Sequence, residues 1–207
     1  LMATTNLLLA GKQVVVAGYG DCGQGIAQRA RAWGGQVTVT EVEPRRALRA
    51  HMAGYRVARM DEAASFGEIF ITATGNKQVI GEAHFSRMQD GAILANAGHF
   101  NVEIDAPALA RLAQRRRSIR AGVEAFELAD GRRLYLVAEG RLVNLATPTA
   151  MGHPIEVMDQ TFAMQFMAAW HLLNHGASLS LGVHRVPDEV DREIAALKLT
   201  TLGLRID

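Results

Sequence analysis

The stretch "VVVAGYGDCGQG", residues 14–25, sets four glycines in eight positions directly behind an apolar run. Gly18, Gly20 and Gly23 fit Gly-x-Gly-x-x-Gly, a pattern short enough to recur by chance, so its meaning depends on its neighbours. Before it, Gln13–Ala17 is a Val-rich run of strand character. After it, "DCGQGIAQRARAWGG" carries Ile26, Ala30 and Trp33 at helical spacing until Gly34 and Gly35 end it. In the order strand, turn, helix, each glycine has a task. Gly18 permits the tight turn, Gly20 lets a pyrophosphate approach the backbone, and Gly23 lets the helix lie close to the strand with its N-terminus facing the anion. Glu41, about twenty residues past the turn, closes a second strand, where a carboxylate accepts the ribose hydroxyls of NAD and disfavours a 2'-phosphate. The competing reading is an ordinary strand-to-helix turn with Glu41 in solvent. Arg45 and Arg46 either soften the preference for NAD over NADP or, next to Pro44, only cap a helix.

Working outward, "QVTVTEVEP" alternates into the second strand and "RRALRAHMAGY" reads as helix. "GEIFITATG" and "GAILANAGHF" are two more apolar strands with a helical "HFSRMQ" between them. Strands alternating with helices predict an α/β fold, a doubly wound parallel sheet covered on both faces. From Ser118 the texture changes. "SIRAGVEAFEL", then Asp130 and Gly131, then "RRLYLVAEGRLVNL" predict a strand and a hairpin that close the sheet. The basic run "RLAQRRRSIR", residues 111–120, reads as a solvated connection from a helix end to a strand, since it lacks the interleaved aromatics of a nucleic-acid surface. Residues 155–174 predict a long helix in which Phe162, Phe166, Met167, Trp170 and Leu173 form an apolar stripe, with Met158, Met164 and Leu172 beside or beyond it. One domain surface does not cover so much bulk, so the helix implies an oligomer. The alternative is that the final helix, opened by Pro187 and closed by Gly203, folds back over the stripe.

The totals bound the function. With 207 residues, 49% apolar and 21% charged, the chain buries a real core and is not disordered. Twenty-two basic against 21 acidic residues leave a charge of +1, which gives no global field for nucleic acid or an anionic membrane, so any ligand is held locally. Cys22 is the only cysteine, which excludes an internal disulfide or a cysteine-based zinc site and fits a reducing compartment. Its side chain reads as packed under the turn or touching the pyrophosphate, a reactive thiol being the alternative. His51, His84, His171, His175 and His184 show no paired ligand spacing, so no metal is expected. No apolar stretch reaches the roughly 18 residues of a membrane span, and "LMATTNLLLAGK" lacks the marks of a signal peptide. A cytoplasmic protein is the expectation. The first residue, Leu1, and a helix-like segment running into Asp207 suggest a piece of a larger enzyme.

At this point "AGKQVVVAGYGDCGQG", "TEVEP", "MDEA", "NAGHFNVEID", "LVAEGRLVNL" and "MGHP" can be read together with "GVHRVPDEVDREIAALKL". As a set they resemble the adenosylhomocysteinase (S-adenosylhomocysteine hydrolase) family. The resemblance implies a Rossmann-type domain over residues 1–154 and C-terminal helices over 155–207 that serve as hinge, interdomain and subunit contacts. It further implies tetramers and a tightly held NAD. Hydride leaves C3' of the nucleoside, which acidifies C4'; homocysteine is eliminated, water adds, and the hydride returns. The net reaction is reversible hydrolysis of S-adenosyl-L-homocysteine to adenosine and L-homocysteine. By resemblance Gly20, Asp21, Cys22, Gly23, Gln24 and Gly25 form the pyrophosphate loop, with Gly18 before it, and Glu41 is the ribose acid. Thr72, Ala73 and Thr74 line the cofactor, Ala97, Gly98 and His99 pass over it, and Asn144 bonds the nicotinamide carboxamide. His99 and Phe100 form the access gate. Leu142, Leu145, Met151, His153 and Met158 lie near the nucleoside, His153 between cofactor and substrate.

Some residues depart from the family pattern. Cys22 stands for the usual valine, Gln24 often for lysine, and Arg46 for an asparagine near the adenosine ribose, while "NLATPTAMGHP" is longer than the usual loop. The aspartate, glutamate and lysine that bind the sugar and move protons in the family lie upstream of the segment matching Leu1, and its C-terminal tail begins near Asp207. His99 and His153 are then the titratable groups nearest the substrate, and the isolated chain is expected to be inactive. Two other function classes are a stand-alone NAD-binding sensor and the cofactor domain of another dehydrogenase, for which no Arg and Glu-His set is evident. Whether an inosyl nucleoside is preferred stays open.

Overall fold

A computed structural model describes residues 1–206; Asp207, where the resemblance starts a C-terminal tail, lies outside the described residues. The chain divides into two compact units, Leu1–Ala150 and Met151–Asp207.

The first unit is built on β1 (Gln13–Ala17), where Val14, Val15 and Val16 are all buried. A strand that buries both faces needs cover on both, and the chain supplies it. Val14 and Val16 enter a core with Ala27, Ala30, Val39 and Ile69, while Val15 enters the other with Phe70, Phe85, Leu94 and Leu136. After the short helix α1 (Met2–Thr5) the order is β1, α2 (Asp21–Ala32), β2 (Gln36–Thr40), α3 (Pro44–Met52), β3 (Arg56–Val57), α4 (Met60–Ala63) and β4 (Ile69–Thr72). Then follow α5 (Glu82–Phe85), β5 (Ile93–Asn96), α6 (Ala106–Leu112), β6 (Ala113–Arg120), β7 (Val123–Leu128) and β8 (Arg133–Val137). The eight strands lie in the order β3-β2-β1-β4-β5-β8-β7-β6. β1 pairs parallel with β2 on one side and with β4 on the other, β5 follows β4, and β8 joins β5 in parallel before β7 and β6 add an antiparallel edge. The fold is therefore α/β and doubly wound. Its switch point lies between β1 and β4, where the winding reverses and a crevice opens at the strands' carboxyl ends.

Three local expectations change. On α2 the buried face is Gly23, Ala27 and Ala30, whereas Trp33 is the C-cap and is 56% exposed. A Cβ on Gly23 would sit 2.0 Å from the carbonyl oxygen of Gly18, so only glycine fits at that crossing, while Ile26 packs partly buried against the same core. The helix expected over "HFSRMQ" is the single turn α5, whose start is held by His84 Nδ1 accepting from Gly81 N–H at 3.0 Å. The arginine run is itself the edge strand β6 rather than a connection, and the chain turns back at Gly122, φ +76°. Arginines hid it, because an exposed edge strand needs no apolar alternation and charged residues there block further pairing.

The second unit holds α7 (Ile155–His175) and α8 (Asp188–Thr201), tied by Lys198 Nζ to Asp159 at 2.6 Å. Phe162, Phe166 and Trp170 each stay more than half exposed despite α8. Among the described residues no helix is long and apolar enough to cross a membrane.

The contact at Gly23 sets up a paired prediction. Gly23→Ala is expected to destabilise the chain by about 3 kcal/mol, because backbone and not a flexible side chain must move. Gly25→Ala, with nothing within 4 Å of its added Cβ, should gain about 0.5–1 kcal/mol from helix propensity. Urea unfolding of both variants checks the pair.

Candidate functional site

A cleft of about 790 Å³ opens at the carboxyl ends of β2, β1, β4 and β5. Its floor is the glycine turn. Gly18 has φ +93°, and a Cβ there would lie 2.7 Å from the carbonyl oxygen of Ala73, so only glycine lets β1's exit pass β4's exit. Gly20 is the N-cap of α2 and has no side chain to cap it; the nearest atom to a Cβ built there is Arg46 Nη1 at 3.9 Å, so the space above the turn is open. The first-turn N–H groups of a helix lack acceptors within it, and here they meet the cleft at Gly20, Asp21 and Cys22. Cys22 is exposed on the cleft wall rather than packed under the turn, and desolvation, with the charge of Glu103, raises its thiol pKa. That argues against a reactive thiolate.

Glu41 follows β2 directly and is held by backbone alone. Its Oε2 accepts from Tyr19 N–H at 2.7 Å, and its Oε1 from Val42 and Glu43 N–H at 2.8 and 3.0 Å. Burial pushes this carboxyl up, but the three N–H donors and the nearby Arg46 outweigh it and leave the pKa below the usual value. Arg45 and Arg46 divide their roles. Arg45 Nε bonds Glu43, whose carboxylate caps α3 through Arg46 N–H at 2.9 Å, while the Arg46 guanidinium lines the cleft.

Across the switch point, Ala73, Thr74, Ala97, Gly98 and His99 form the opposite wall. His99 is exposed, with its ring edge-to-face on Phe100 at 4.5 Å. Thr72 is fully buried behind this wall and donates its hydroxyl to Asn96 Oδ1 at 3.0 Å. Asn96, also fully buried, is a hub that the sequence reading missed. Its Oδ1 accepts from Gly98 N–H at 2.7 Å, and its Nδ2 faces the carbonyls of Gly98 at 3.2 Å and of Phe100 and Gly140 at 2.9 Å. The last of these holds a left-handed turn in which Ala138 and Glu139 have φ 54° and 56°. Such backbone costs about 1 kcal/mol per non-glycine residue and persists where its surroundings over-determine it. The turn delivers Leu142 to a bridge beside Asn96, with Asn144 and the exposed Leu145 just beyond.

The cleft thus gathers Gly18, Gly20, Asp21, Cys22, Glu41 and Arg46 with the wall residues across from them. Gly23 lies beneath the turn, Gln24 bonds back to Gly20 O through its N–H at 2.9 Å, and Gly25 points to open space. Neither Asn144 nor Phe100 lines the cleft, while Met151 and His153 are exposed and Met158 half-buried in the second unit. At the far end of the cleft stand Asp61 and His84, which were not anticipated there. His84 Nε2 lies 3.4 Å from Asp61; burial lowers the His84 pKa and Asp61 opposes the shift.

Residues 1–150 match the family model for the S-adenosyl-L-homocysteine hydrolase NAD-binding domain. The whole chain is 56% identical to the adenosylhomocysteinase of Archaeoglobus fulgidus, covering 50% of that protein. It is 51% identical to the S-inosyl-L-homocysteine hydrolase of Methanothermobacter thermautotrophicus, covering 49% of it. The chain therefore spans about half the length of the curated relatives it matches. Among solved structures, a dipicolinate synthase component from Bacillus halodurans aligns with a TM-score of 0.49 at 18% identity, over 53% of this chain and 38% of that one.

The hub at Asn96 is open to test. Asn96→Ala strips the partners from buried carbonyls and is expected to cost about 2–4 kcal/mol in urea unfolding. Asn96→Asp keeps the acceptor but turns a second oxygen toward those carbonyls. It should cost at least as much, and a neutral Asn96→Asp would dismiss the hub.

Proposed function

The chain belongs to the S-adenosyl-L-homocysteine hydrolase family as its NAD-binding domain, and from that premise we propose how its residues share the work. The observation that carries the assignment of roles is Glu41, a carboxylate fixed by three backbone N–H groups beside an open glycine turn and a helix N-terminus. The residues fit the cofactor. A Cβ at Gly18 would strike Ala73, whereas the turn at Gly20 leaves room for a pyrophosphate against the first-turn N–H groups.

On this reading Gly20, Asp21 and Cys22 offer backbone to the pyrophosphate, with Gly18, Gly23, Gln24 and Gly25 shaping the turn. Glu41 accepts from the adenosine ribose, and Arg46 stands beside it. Ala73, Thr74, Ala97 and Gly98 line the nicotinamide half, with Thr72 supporting them, and Asn144 takes the carboxamide. Bound NAD supplies a reversible hydride acceptor for C3' of a nucleoside. His99 and Phe100, with rings in contact, gate access and keep water out. Leu142, Leu145, Met151, His153 and Met158 are the nucleoside-proximal residues.

For the whole protein the proposal is reversible hydrolysis of S-adenosyl-L-homocysteine to adenosine and L-homocysteine in the cytoplasm. Residues 1–154 would be the cofactor domain and 155–207 the hinge and interface helices of a homo-oligomer. Acid-base chemistry on the sugar needs groups within hydrogen-bond reach of it, so turnover is not expected of these 207 residues alone.

Titrating both dinucleotides into the apo-chain tests the cofactor roles. One NAD per chain, bound more tightly than NADP, is expected, with the gap narrowed in Glu41→Ala. Equal or tighter NADP binding would sink the role given to Glu41. Association is checked by light scattering across a dilution series. The exposed stripe on α7 should hold a dimer or larger species that Trp170→Glu weakens, whereas a monomer at every concentration would make the helix surface inert.

A further inference from the structure

Glu103 has no role in the reading above, yet it is 1% exposed and lies against both loops of the nicotinamide wall. Its Oε1 accepts from Gly75 N–H at 2.8 Å and Thr74 N–H at 3.2 Å, and its Oε2 from Thr74 N–H at 2.9 Å and the Thr74 hydroxyl at 2.8 Å. Every one of these donors is neutral and belongs to the turn after β4. A buried carboxylate costs several kcal/mol in desolvation unless its lone pairs are filled, so a turn that fills them is tied to it tightly. The other side of the same carboxylate meets the loop after β5. A Cβ on Gly98 would sit 1.8 Å from Glu103 Oε1 and 3.0 Å from Asn96 Oδ1, which means Gly98 is pressed between the two side chains. Glu103 itself is anchored through its carbonyl, which accepts from Ile80 N–H at 3.0 Å.

The strand order gives this clamp its place along a bound dinucleotide. Glu41 follows β2, Gly18 follows β1, Ala73 follows β4 and Gly98 follows β5, and these strands are consecutive neighbours in the sheet. At about 4.8 Å per strand, the clamped loops stand two to three strands, about 10–14 Å, from the ribose acid. An extended dinucleotide anchored at Glu41 reaches that far. We propose that Glu103 is a positioning residue for NAD. Its carboxylate fixes the Thr74 turn against Gly98 and so sets the width of the wall that receives the nicotinamide half, without touching the cofactor. The inference rests on the reading of the cleft as the NAD site. A carboxylate is required because all its partners donate; a Gln side chain of equal size would turn an NH2 toward an N–H or O–H.

The test compares NAD with AMP, which carries only the adenosine end. In the chain bearing Glu103→Gln, NAD is expected to bind about tenfold more weakly while AMP stays within about twofold of the unsubstituted chain. A role in stability alone would weaken both by the same factor; that result, or unchanged NAD binding, overturns the proposal. Failure of the unsubstituted chain to bind NAD at all would overturn the reading of the cleft as well, and is told apart by that control. Should Glu103→Gln fail to fold, hydrogen exchange on the unsubstituted apo-chain decides. The Thr74 and Gly75 amides should be protected although the segment around them is exposed, and free exchange at both refutes the clamp.

Discussion

Backbone packed on backbone at the glycine turn is the constraint from which the rest of the first unit follows. Gly18 passes beneath Ala73, and Gly23 lies on the carbonyl of Gly18 at distances that leave no space for a single methyl group. These contacts bring α2 down onto β1 and let β4 lie beside β1 at its exit, so the switch-point crevice exists because side chains are absent there. The remainder of the α2 interface answers the same closeness with Ala27 and Ala30, with Ile26 partly buried against the same core. Close approach also places a helix N-terminus over the crevice, where its partial positive charge is available to an anion. One steric fact thereby links fold and binding.

A second principle operates at the strand ends beyond the turn. Apolar packing holds the body of the sheet, but the loops that face a ligand cannot be apolar and ordered at once without internal partners. Glu41, Asn96 and Glu103 supply these partners. Each is a side chain that closes backbone donors or acceptors into a fixed geometry, at 2.7–3.2 Å throughout. Such groups stabilise the fold modestly and specify it strongly, since a buried polar atom without a partner is costly. Rigid walls hold a dinucleotide with less entropy lost on binding. His99 and Phe100, by contrast, stay exposed on the loop between Asn96 and Glu103. The loop is pinned at both ends and leaves these two side chains, with their rings in contact, at its middle.

The second unit follows a different logic. Its two helices share an ion pair and leave Phe162, Phe166 and Trp170 largely in solvent, a face with more apolar area than the unit can use. The edge strand β6 shows the opposite solution to exposure: Arg115, Arg116 and Arg117 make an outer strand soluble, and Arg116 also bonds Glu124 on its neighbour at 2.7 Å. One unit thus ends in a charged strand edge, and the other carries an exposed apolar helix face.

Local rules sufficed for much of this. The strand, turn and helix of residues 13–32 are legible because positive φ and close approach admit only glycine, and β1, β2, β4 and β5 because apolar runs bounded by turn residues have few other uses. Glu41 was legible from its distance along the chain, since a strand and a helix of ordinary length bring it back to the turn. Other features depended on residues distant in sequence. Glu103 meets Thr74 across 29 positions and Asn96 meets Gly140 across 44, and no spacing rule links them. On α2 Ile26 and Ala30 do face the core, but Trp33 does not, and Gly23 and Ala27 were added to the buried face by how near the sheet lies. β6 was disguised as a basic connection because an edge strand is defined by its neighbour and not by its own pattern. The sequence by itself determined where glycine, valine and a carboxylate must stand for a dinucleotide cleft to form. Only the tertiary structure decided which buried polar side chains hold its walls, because hydrogen bonds between distant loops come into being when the chain has closed.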